Sequence, residues 1–147
     1  MIVSLVIAAG MYALTLCTLM APTILFIRIV TGKGQNDLTR PSYPMNILLL
    51  QVAAAVLLFS HLVNIALWAV LFYLCGEFTE FETAYYYSAV TYSSLGYGDL
   101  VMSPRWRLLG PLETIDGIVM FGISTALVFA LLDRMIARRL KHLNLGS

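Results

Sequence analysis

The sequence predicts an all-α membrane protein with three transmembrane helices and one short re-entrant helix that leads into a glycine-containing loop. Three observations predict it. Hydrophobic residues make up 60% of the 147 and charged residues only 12%, against ~25% charged in a soluble domain. Three apolar runs, near 2–30, 45–75 and 112–135, each reach the roughly 20 residues that cross a bilayer. Between the last two lies Thr91-Tyr92-Ser93-Ser94-Leu95-Gly96-Tyr97-Gly98-Asp99, in which two glycines flank one aromatic residue, hydroxyl residues precede them and a carboxylate follows.

The first run has no Lys or Arg ahead of its apolar stretch and is too long for a cleaved signal peptide, so it reads as a retained helix over 1–30. Pro22 is expected to kink it, and Arg28 to reach the interface at its end. Residues 31–44 have the composition of a polar loop, and Gly32-Lys33-Gly34 lacks the glycine spacing of a phosphate loop. The second helix, 45–75, carries Trp68, Phe72 and Tyr73 near its far end, where an aromatic belt is expected. His61 and Asn64 share a face near its centre. A neutral histidine hydrogen-bonded between helices is the favoured reading there, and a proton-sensing or gating role is the second. Cys17 and Cys75 fall at different membrane depths, and no disulfide is expected between them.

Thr79-Glu80-Phe81-Glu82 has the form of a capping box, with Thr79 capping and Glu82 reaching back. The short helix it opens, 80–92, is expected to be re-entrant and to turn its negative C-terminal end toward an ion. Tyr85, Tyr86 and Tyr87 on it would form a collar behind the loop. In that loop Gly96 and Gly98 alternate with Leu95 and Tyr97, and glycine accepts left-handed angles without steric cost, so successive carbonyls can line up on one side. One line of oxygens encloses nothing. Four copies around an axis would stack such lines into rings that replace a cation's water shell, so the chain is expected to assemble as a homotetramer.

Ser94-Leu95-Gly96-Tyr97-Gly98-Asp99 resembles the Thr-x-Gly-Tyr-Gly-Asp signature of the potassium-channel pore family. The Gly-Tyr-Gly-Asp core matches in full; Ser94 stands for the usual threonine and Leu95 for valine or isoleucine. The resemblance spans about 67–132 and is sharp only over 91–99. It implies a potassium-selective channel and not an enzyme, with no cofactor beyond the permeant ion. The ion would sit at Ser94, Leu95, Gly96 and Tyr97, with Gly98 completing a selectivity filter over 94–98. Asp99, Tyr86 and Tyr87 would support that filter. Some relatives pair the aspartate with a glutamate where this chain has Val90, so Asp99 is expected to bond to a pore-helix tyrosine instead. Gly122-Ile123-Ser124 resembles the hinge of family inner helices, which makes Gly122, with Gly117, a candidate gating hinge; glycines that simply permit close helix packing are the equal alternative. Residues 45–135 then form the pore domain, and the helix before it is expected to pack at the periphery.

The third spanning helix, 112–135, follows Pro111, a residue suited to a first helical turn. Glu113 and Asp116 share a face at its outer end, where four copies would form acidic rings; solvated acids favourable to a helix N-terminus are an equal alternative. Asp133 is expected at the inner mouth. Arg134, Arg138, Arg139 and Lys141 lead into a short basic tail, 136–147, suited to anionic lipid headgroups. Lys and Arg number three over 28–44, four from residue 133 onward, two in the outer loop and none before residue 28. The positive-inside rule therefore sets the N-terminus outside and the C-terminus in the cytoplasm of a plasma membrane, with small size pointing to a prokaryote. No helix has the spaced arginines of a voltage sensor, and the net charge of +1 without a basic cluster leaves no case for nucleic acid. Two other classes stay open: a weakly selective sodium and potassium channel, and a membrane-embedded enzyme or accessory subunit using His61, Asn64, Glu113 and Asp116.

Overall fold

The computed structural model describes residues 1–32 and 43–144, folded as four helices: α1 (Ile2–Gly32), α2 (Tyr43–Leu74), α3 (Phe81–Tyr92) and α4 (Leu109–Asn144). Three are long and apolar enough to cross a membrane, over Ile2–Arg28, Ile47–Leu74 and Leu109–Ala137. At 1.5 Å per residue the 12 residues of α3 extend ~18 Å, short of a ~30 Å hydrocarbon core. The expected 31–44 loop lies mostly outside the described residues, as do the side chains of Arg138, Arg139 and Lys141 in the basic tail.

α2 and α4 pack on each other, and both also contact α1 and α3. The buried positions of α1 include Ser4, Ala8, Thr15, Leu19 and Thr23, while Leu5, Val6, Leu14, Ile24 and Leu25 are exposed. Four of these five buried residues are small or hydroxyl-bearing, which lets α1 approach its neighbours closely, with Leu19 the large apolar exception. Pro22 lies inside α1 without ending it.

Helix ends follow local chemistry. Gly76, at φ 75°, closes α2 with a paired motif in which its N–H donates to the Tyr73 carbonyl and the Glu77 N–H to the Phe72 carbonyl. α3 starts one residue later than the capping box requires. Glu80 is its N-cap and makes no side-chain capping bond, so Thr79 falls outside the helix and Glu82 acts only as an acid in the first turn. α4 begins at Leu109 and runs to Asn144, past the expected 112–135, because no glycine or proline interrupts the chain between Gly122 and Gly146.

The expected aromatic belt divides. Tyr73 is exposed, but Trp68 and Phe72 are fully buried, and the Trp68 Nε1–H donates to Asp116 Oδ2 at 2.8 Å. Trp68 therefore belongs to the core, because a carboxylate inside the protein supplies the acceptor its indole would otherwise seek at the interface.

Candidate functional site

Residues 94–98 leave the C-terminal end of α3 in a defined way. Ser94 has φ 64°, and its N–H donates to the Thr91 carbonyl while the Leu95 N–H donates to the Val90 carbonyl, the same closing motif that Gly76 makes on α2. A serine occupies the left-handed position that glycine normally takes. Positive φ recurs at Gly96 (54°) and Gly98 (76°), with Leu95 and Tyr97 between them on the ordinary side. The handedness of the backbone thus alternates residue by residue. All of 94–98 is exposed in the single chain, Leu95 at 58% and Tyr97 at 66%, and a Cβ at Gly96 or Gly98 would meet nothing within 4 Å.

The left-handed Ser94 carries a testable cost. Ser94→Gly is expected to stabilise the protein by about 1 kcal/mol, whereas Ser94→Thr is expected to destabilise it by a similar amount, because a β-branched side chain is disfavoured at positive φ. Thermal unfolding of the two variants beside the parent checks the order.

Three carbonyls in the last turn of α3 have partners within the chain. Ala89 accepts from the Ser93 N–H, Val90 from Leu95 and Gly96, and Thr91 from Ser94 and from the Thr114 hydroxyl at 3.1 Å.

The three consecutive tyrosines have separate surroundings within the chain. Tyr85 lies near Phe81, and Tyr87 packs between Phe72 and Phe78 at 5.4 and 5.1 Å between ring centroids. Tyr86 donates its hydroxyl to Asp99 Oδ2 at 2.7 Å, tying α3 to the residue that follows 94–98. That bond, then partial burial and the charge of Asp99, hold the Tyr86 phenol above its ordinary range. The neutral phenol is the donor, so the contact is fully present below the usual phenol value of about 10 and is lost as pH rises through the higher value in the folded protein. Tyr86→Phe is expected to speed the decay of any current through the site, and raising pH well above 10 to drive the parent toward the variant's behaviour. Recordings of both proteins across that range are the check.

Glu113 and Asp116 form no acidic ring and are not solvated. Their exposures are 0% and 2%. Ser88 of α3 donates its hydroxyl to Glu113 Oε1, while Asp116 accepts from Trp68 of α2 and from the Thr15 hydroxyl of α1 at 3.0 Å. Each carboxylate turns inward because hydroxyl and indole donors on neighbouring helices are set to meet it. Among the described residues, Glu113 Oε2 is the buried side-chain polar atom without a partner. Gly117 is a contact glycine: a Cβ there would lie 2.2 Å from the Tyr92 carbonyl oxygen, so α4 rests directly on the last residue of α3. Gly122 is open, with nothing within 4 Å. His61 is buried and bonded on both ring nitrogens to α3 and α4, as the interhelical reading of this residue requires.

A family model described as an ion channel matches residues 60–134, from the middle of α2 through α3, the 94–98 segment and most of α4. The chain belongs to the two-transmembrane ion channel family of the potassium-channel pore type. No curated protein and no solved structure matches it. The matched region covers a little over half of this ion channel and leaves out α1. Its sequence signature was legible at 94–99; the tie from α1 through Thr15 to Asp116 was not, although hydroxyl residues spaced along one face of α1 were its only trace.

Proposed function

We propose that this ion channel is selective for potassium and that four copies surround one pore, each contributing residues 94–98 to the selectivity filter. The observation that carries the reading is the alternation of φ at Ser94, Gly96 and Gly98 in a segment that a single chain leaves uncovered. Alternating handedness supports carbonyls that face one side, and rings of such carbonyls replace the hydration shell of a potassium ion while ions advance by knock-on. In this reading α3 is the re-entrant pore helix, Tyr86 and Asp99 brace the filter from outside, and Tyr87 fixes the pore helix against α2. Gly122 is the candidate hinge of the inner helix α4. The N-terminus lies outside and the basic end of α4 lies in the cytoplasm against anionic lipid, following the distribution of Lys and Arg.

The test is ion flux into liposomes holding the purified protein, driven first by potassium and then by sodium, together with the mass of the solubilised complex. Potassium flux exceeding sodium flux many-fold, from a complex of four chains, is the expected result. Equal fluxes would make the protein a weakly selective cation channel, and a complex of another size would remove the four-fold pore.

A further inference from the structure

Tyr92 is the last residue of α3, two positions before Ser94, and it is fully buried. Its backbone is held by the contact with Gly117, and its hydroxyl lies 3.2 Å from His61 Nδ1 and 3.3 Å from Asn64 Nδ2. The other ring nitrogen of His61, Nε2, lies 2.9 Å from Ser124 Oγ. Ser124 is two residues from Gly122 on α4, and its hydroxyl donates to the Met120 carbonyl at 2.9 Å.

Counting protons fixes the direction of this chain. The Ser124 hydroxyl lies 2.9 Å from both the Met120 carbonyl oxygen and His61 Nε2. With the Tyr92 oxygen accepting from Asn64, the Tyr92 proton needs His61 Nδ1 as acceptor, so Nε2–H donates to Ser124 and the Ser124 proton goes to Met120. A neutral imidazole with its proton on Nε2 has a bare Nδ1, which accepts the Tyr92 O–H. The Tyr92 oxygen in turn accepts from the Asn64 amide. In the opposite tautomer, or in an imidazolium, Nδ1 carries a hydrogen toward Tyr92 and the buried tyrosine proton is left with no acceptor, which is costly away from water. The tautomer follows from the bonding pattern of the whole group.

We propose that His61, as the neutral Nε2–H tautomer, is a positioning residue that links α4 beside Gly122 to the end of the pore helix and so to the entry of the filter. This rests on the filter reading of residues 94–98. A bend of α4 at Gly122 shifts Ser124 and breaks or strains its bond to His61; His61 passes that change to Tyr92, and Tyr92 sets where Ser94 begins.

Two measurements test it, both on the full chain in liposomes. The first is the imidazole nitrogen spectrum in an H142Q background, since the sequence has two histidines. The expected spectrum has one protonated nitrogen, Nε2, and an Nδ1 resonance that moves when Tyr92→Phe removes its donor. The second is the ratio of sodium to potassium flux. His61→Phe keeps a ring against Phe121, whose centroid is 4.6 Å away, and removes both bonds. The ratio is expected to rise roughly three- to tenfold in His61→Phe, Tyr92→Phe and Ser124→Ala, the range that one membrane-buried hydrogen bond allows. The double variant His61→Phe/Tyr92→Phe should be no worse than either single, because both cut the same link. A proton on Nδ1, an unchanged ratio in folded His61→Phe and Tyr92→Phe, or additive effects would overturn the proposal. A potassium flux that survives in full in Gly96→Ala would instead remove the filter reading, and the nitrogen spectrum would still decide the tautomer of His61.

Discussion

Gly117→Ala is expected to break the packing of the protein, lowering thermal stability by at least ~3 kcal/mol, the top of the usual overpacking range. The added methyl would sit 2.2 Å from the Tyr92 carbonyl oxygen and 3.1 Å from its carbon. Both are backbone atoms of a buried helix end, so no flexible side chain can yield; α4 must move away from α3. That movement also separates Thr114 from the Thr91 carbonyl. Gly122→Ala is the control on the same helix. Its methyl would meet nothing within 4 Å, and alanine is the better helix former by roughly 1 kcal/mol, so this variant should be at least as stable as the parent. Thermal unfolding in detergent separates them, and equal midpoints would show that the α3 to α4 contact does not hold the fold.

Gly96→Ala should act in the opposite way, abolishing potassium flux while leaving the helices folded. At φ 54° an alanine carries about 1–2 kcal/mol of strain, but its methyl would touch nothing. The segment is exposed in the single chain, so the cheapest relief is for residue 96 to return to negative φ. In the proposed filter its carbonyl would then turn away from the ion path, and a ring without its oxygens would no longer match a dehydrated ion. Near-parental unfolding with no potassium flux is the expected pair of results. Full flux in this variant would mean that the backbone of 94–98 is not the ion path.

The contrast between these two glycines shows which parts were legible in the sequence. The left-handed backbone of Gly96 and Gly98 could be read because it is local: two glycines spaced around one aromatic residue describe a backbone conformation directly. The three spans were legible because length and apolarity alone decide them. Gly117 is different, since its meaning depends on Tyr92, which reaches it only through the packing of α3 on α4. Glu113 and Asp116 were visible as two acids on one face, but the sequence does not say which face turns inward. In lipid the polar side of a helix seeks protein, so the donors Ser88, Trp68 and Thr15 on three other helices settled it. The start of α3 was misplaced for a smaller reason. The Thr79 pattern and Glu80 compete for the same cap, and nothing local distinguishes them.

The bonds to Asp116 also bear on how the chain is made. During synthesis α1 and α2 enter the membrane before α4 exists, and the spans Ile2–Arg28 and Ile47–Leu74 contain no acid to oppose their insertion. α4 must bring the acidic side chains of Glu113 and Asp116 with it, both in the first third of its span, and an acid inside a span opposes insertion. By then the Thr15 hydroxyl and the Trp68 indole are already in the bilayer, ready to receive Asp116. The first helix, which the family match does not include, thus supplies one of the donors that let the last one carry an acid inside the membrane protein.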